Sequence, residues 1–158
     1  MQANYISFGI GFVTGLRSMT ACAALSWAAS LGRTRSEAIP ASPEARAIAS
    51  ALAVAEMLGD KMPFAPDRRI PPSLAVRLVI GAVGGAAMSR RGDSASTGAL
   101  VGLAGAVAGT LLGRRARGAT TRSAADWARG VTEDAVAASL ALTLVNLAKR
   151  QGPAWHEA

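Results

Sequence analysis

The sequence predicts an all-α fold: a small polytopic membrane bundle of about five short, Gly/Ala-rich helices, forming one integral-membrane domain over residues 1–158. Three observations carry this. Apolar runs recur between prolines and basic clusters, and no alternating strand pattern interrupts them. Ala (36) and Gly (17) together make a third of the 158 residues, while aromatic residues are only 4%. Gly and Ala let helix backbones approach closely in lipid, whereas a soluble core is usually filled with larger side chains. Charged residues are 17%, below the roughly 25% of an ordinary soluble domain.

The first apolar segment runs from Ile6 to Ala29 and is interrupted only by Arg17. A polar loop at 30–44 follows, in which Ser42-Pro43-Glu44 can cap the next helix. The second segment, Ala45 to Met62, gains charge near its end, at Glu56, Asp60 and Lys61. Pro63, Pro66, Pro71 and Pro72 separate it from the third, Leu74 to Met88, which carries Arg77 in its first turn. The fourth is Ser94 to Gly113. The fifth, Asp126 to Leu147, leads into a polar tail at 149–158. The first and fourth approach the ~20 residues a full span requires, and the others suit short, tilted or re-entrant helices.

Helical spacing assigns faces. Gly98, Gly102, Gly105, Gly109 and Gly113 fall within an arc of about 80° on the fourth segment. Glycine in a soluble helix interior costs about 1 kcal/mol against alanine, so five on one face point to close packing within a membrane. Segment one repeats the device with Gly11, Gly15, Ser18, Cys22 and Ser26. Segment three does so with Gly81, Gly84 and Gly85, with Arg77 on the same face.

The charges carry the functional signal. Arg17 lies near the centre of an apolar stretch, where an arginine costs about 2.5–3.5 kcal/mol on insertion scales. It cannot lose its proton, so it needs a partner or water. Glu56 and Asp60 share one helix face and are its natural anionic partners, with Lys61 beside them. Glu133 and Asp134 form a second acidic pair; being about 100° apart, only one can face a given partner. Simpler roles exist for several of these groups: Asp60 and Lys61 can end a helix at the interface, Arg77 can snorkel, and an acidic first turn suits the helix dipole.

The net charge of +7 does not form a stripe with interleaved aromatics, so nucleic-acid binding is not expected. The basic residues sit in clusters between apolar runs, as in loops that meet lipid head groups. No basic residue precedes Arg17, which argues against a signal peptide. His156 stands alone, leaving neither a metal site nor a base for a nucleophile, and no cofactor fingerprint is present. No enzymatic activity is expected.

Gly15-Leu16-Arg17, Glu56 with Asp60-Lys61-x-Pro63, Arg77 opening a glycine-rich helix, and Glu133-Asp134 resemble the bacterial membrane family catalogued as domain of unknown function 4126. The resemblance spans roughly Gly9 to Ala141, and Asp-Lys-x-Pro is its most specific element. It implies a multi-pass membrane protein and brings no established activity.

These readings converge on a bacterial inner-membrane bundle in which Arg17, Glu56, Asp60, Lys61, Arg77 and Glu133 or Asp134 form a buried polar network lining an ion or small-solute pathway. A non-transporting scaffold, whose charges only fix helix register, and a soluble Ala-rich protein binding an acidic partner are the alternatives. Lys and Arg divide almost evenly between the two sides of a five-span topology. Segments one and two also echo four and five. Both features lead to the expectation of an inverted repeat and a weakly oriented homodimer.

Overall fold

The structure, a computed structural model, describes residues 2–59, 71–117 and 124–149. These form six helices and no strand: α1 (Gln2–Leu16), α2 (Ser18–Ser30), α3 (Pro43–Gly59), α4 (Pro71–Met88), α5 (Ala95–Arg117) and α6 (Ala124–Leu147). The sixth helix, beyond the five expected, arises because the first apolar segment is two helices. They part at Arg17, whose φ of −145° and ψ of 106° are extended.

The two do not continue in line. A Cβ placed on Gly84 would lie 3.1 Å from Leu25 of α2 and 3.6 Å from Ile10 of α1. An unbroken helix would hold those two residues about 22 Å apart. The chain therefore reverses at Arg17, and α1–α2 is a helical hairpin with Arg17 at its tip. The small residues Gly11, Gly15, Ser18, Cys22 and Ser26 consequently do not form one face.

The remaining directions follow from contacts. α5 runs parallel to α1, with Gly11 against Gly102 and Gly15 against Ala106 and Gly109. α4 is antiparallel to α5, with Gly81 against Ala106 and Gly102, and Gly85 against Gly98 and Gly102. α6 is antiparallel to α1, from Asp134 beside Arg17 to Leu144 beside Gly9. α3 is antiparallel to α2. Near its start Arg46 lies 4.7 Å from the Trp27 ring, and near its end Glu56 reaches the amides of Ser18 and Met19. The helices thus alternate in direction. One end of the bundle holds the start of α1 and the ends of α2, α4 and α6; the other holds the tip.

This corrects the five-span topology, which set the N-terminus opposite the 30–44 loop. The even charge balance is unaffected, because residues 1–16 carry no Lys or Arg. The expected inverted repeat is not followed either: α1 and α5, which open its two copies, run parallel.

Glycine sets the packing. α5 meets α4 through Gly98 and Gly102 and α1 through Gly102, Gly105 and Gly109, the last two against the Phe8 and Phe12 carbonyls. A methyl at any of these would collide with backbone of the facing helix. Gly113 is buried at the next position of that stripe. Ser7 extends the α1 stripe by a turn, its Oγ donating to Gly85 O at 2.8 Å.

At the other end, the loop after α2 is fastened to helix ends by arginines. Arg33 donates to Val145 O, and Arg35 Nη1 donates to Ser89 Oγ at 3.1 Å and Asp93 O at 2.8 Å. A cation at a last-turn carbonyl of α6 suits the helix dipole, and the Arg35 backbone amide donates to Ala87 O at the end of α4.

Polar groups share the interior with an apolar core around Ile10, Val13 and Leu25. Ser7, Thr14, Arg17, Thr20, Arg77 and Asp134 are buried, while Leu100, Val79, Leu142 and Leu147 are more than 60% exposed. Among the described residues, two helices, over Ala95–Arg115 and Ala128–Leu147, are long and apolar enough to cross a membrane; Ser73–Met88 is apolar but shorter.

Candidate functional site at the hairpin tip

Reversing a helix frees backbone groups at both sides of the turn: the last carbonyls of α1 and the first amides of α2. Inside an apolar bundle each such group left without a partner costs several kcal/mol. The tip shows how they are satisfied. Arg77 Nη1, from α4, donates to Gly15 O and, at 3.2 Å, to Leu16 O. Thr110 Oγ1, from α5, donates to Gly15 O at 3.4 Å. On the other side of the turn, both oxygens of Glu56 accept backbone hydrogen bonds, Oε1 from Ser18 N at 3.2 Å and Oε2 from Met19 N at 3.0 Å.

The signs match the helix dipoles, with a cation at the negative end of α1 and an anion at the positive end of α2. Arg17 itself supplies no side-chain cap to α2. Its guanidinium turns to α6, where Nη2 lies 2.5 Å from Asp134 Oδ1. Arg17 is 2% exposed, and Arg77 and Asp134 are 7% exposed. Two cations and two carboxylates, from the α1–α2 turn, α3, α4 and α6, therefore meet around one turn, with no net formal charge among the four.

Arg17, Glu56, Arg77 and Asp134 are thus brought together. Asp134, from the second acidic pair, holds the Arg17 guanidinium, and Glu56 holds the amides that the reversal exposes. Glu133 is half-buried one position earlier on α6. Asp60 and Lys61 lie outside the described residues. Arg77 does not snorkel outward; it is buried against the end of α1. Sequence reasoning missed Thr110 as a tip residue, and nothing in its apolar surroundings marks it. Ser7 could have been found, since it precedes Gly11 and Gly15 at the same spacing of four.

Depth follows from the parallel packing of α1 and α5. Gly15 sits against Ala106, Gly109 and Thr110, so Arg17 is level with about residue 110. The Arg114-Arg115 cluster begins just beyond. By reversing there, the chain sets Arg17 inside the bundle and close to one end of it rather than midway along a span.

A groove of about 550 Å³ runs along α2 between α3 and α4. Its lining includes Met19, whose amide binds Glu56, and extends to Ile39 and Pro40 at the opposite end. Among the described residues, no group of three or more His, Cys, Asp or Glu is placed to hold a metal ion. Comparison with family models, with curated proteins and with solved structures finds no match to this chain.

Proposed function

We propose that the chain is a small multi-pass protein of the bacterial inner membrane that moves an ion or small solute past the hairpin tip. The observation that carries this is the tip itself: a discontinuous helix whose freed backbone ends are held by ionised side chains inside a bundle with an apolar exterior. Discontinuous helices and intramembrane charges are the devices by which transport proteins build substrate sites. The membrane setting is supported by the low burial of the two long apolar helices, 28% and 22% of their windows. A core helix of a soluble protein would be mostly buried. Arg17 would attract an anion, and Glu56, with Asp60, would offer a carboxylate to a cation when it leaves the α2 amides. The likeness to the family of domain of unknown function 4126, association as a homodimer and the absence of catalysis belong to the same proposal.

One observation favours a second reading. The tip charges meet each other and the backbone, as they would in a scaffold whose network only fixes helix register. Reconstitution into proteoliposomes separates the two. Transport predicts flux of a small ion that Glu56→Gln abolishes while the protein stays folded. A folded wild-type protein without flux of any tested ion favours the scaffold. Extraction by a carbonate wash would overturn both in favour of a soluble binding protein.

A further inference from the structure

From the groove along α2 we infer that the protein binds one anionic phospholipid, an acyl chain lying between α3 and α4 and the head group in a crevice at the end opposite the tip. The groove is lined by Leu25 of α2, Ile48 and Leu52 of α3, and Val79 and Val83 of α4, among others. α3 packs chiefly on α2, and α3 and α4 are not packed together, so the groove is not closed by the bundle. Met19 to Ser26 gives it a length of about 10 Å along α2.

The groove does not end blindly in apolar surface. Ile39 lines it and also lines a second hollow of about 370 Å³, whose walls include Thr34, Ser36, Glu37 and Arg91. The two hollows therefore share one residue, one hollow apolar and the other polar, with Arg91 and Glu37 in its walls. That sequence of surfaces matches an amphiphile. A second copy of the chain would need an apolar ridge of its own to fill a groove that turns polar at one end.

Charge chooses the lipid class. Arg91 lies in the crevice with Glu37 4.0 Å away, a carboxylate that is 89% exposed and loosely held. Arg33, Arg35 and Arg90 surround the same end of the bundle. Basic residues at a membrane surface attract anionic head groups. The inference rests on the membrane reading, since a groove facing water would hold no lipid chain.

The test uses the full chain purified in detergent and native mass spectrometry, with phosphatidylglycerol or phosphatidylcholine added at equal concentration. One phosphatidylglycerol should bind per chain, about tenfold more tightly than phosphatidylcholine, as a difference of one or two arginine contacts predicts. Arg91→Glu should remove that preference, and Val83→Trp, which fills the groove, should weaken both lipids. Equal binding of the two lipids by the wild type overturns the head-group assignment. Binding unchanged by Val83→Trp overturns the groove, as does a dimer that this variant dissociates. Since the membrane reading is tested separately by the carbonate wash, a protein that stays in the membrane but shows no saturable lipid refutes only this inference.

Discussion

Arg17 Nη2 and Asp134 Oδ1 lie 2.5 Å apart between side chains that are 2% and 9% exposed. The pair joins the tip of the α1–α2 hairpin to the helix most distant from it in sequence. Removing one member of a buried pair leaves the other charge uncompensated, at a cost of about 3–5 kcal/mol. Arg17→Leu and Asp134→Leu should each lower thermal stability in detergent by that order. The double variant should lose clearly less than the sum. Additive losses would show that the two charges are held by other partners.

Glu56 and Arg77 serve the backbone of the same turn, so their loss should act through it. Glu56→Gln keeps the shape but leaves one acceptor and no charge for two amides, and about 1–2 kcal/mol of stability should go with it. Arg77→Met should cost more, since it strips the donor from two buried carbonyls. Hydrogen exchange at Ser18 and Met19 is the specific readout: it should rise in Glu56→Gln. Unchanged protection there would mean that Glu56 does not cap α2.

Helix packing gives a prediction that needs no charge. Gly105→Ala places a methyl against the Phe8 carbonyl, and overpacking of this kind costs about 1–3 kcal/mol. In Gly130→Ala the new methyl meets nothing within 4 Å among the described residues, and alanine should be neutral or better by up to about 1 kcal/mol. Equal effects of the two changes on thermal stability in detergent would refute the packing assigned to α5.

These two groups of residues differ in how far the sequence reveals them. The α5 glycines are legible because a helix writes its packing face into local spacing, and Gly98 to Gly109 do lie on the face that meets α1 and α4. The hairpin is not legible. Ile6 to Leu16 and Ser18 to Ala29 are both apolar, no proline stands at the turn, and Gly15 reads as one more small residue of a packing face. What stabilises the reversal is distant in sequence: Glu56 on α3, Arg77 on α4, Asp134 on α6. Arg17 could be recognised as a residue in need of a partner. Which carboxylate would answer it depends on the direction of α2, and that direction is set by the turn.

Topology follows from the same reversal. If all six helices cross the membrane, as the proposed function requires, their alternating directions mean that reporters of cytoplasmic location fused to the two termini should give the same result as each other in every cell. If both orientations coexist, both fusions should be active in part. One active and one silent fusion would mean an odd number of crossings, and the hairpin would then not return to its starting side.

The reversal at Arg17 is measured most directly as a distance. Spin labels at Tyr5 and Trp27, both exposed, with Cys22 replaced by alanine, mark the far ends of α1 and α2. If the chain folds back, double electron–electron resonance should report a separation on the order of 20 Å or less, as for two neighbouring helix ends. A separation of about 33 Å, the length of an unbroken helix between those residues, would contradict the hairpin and with it the site built around its tip.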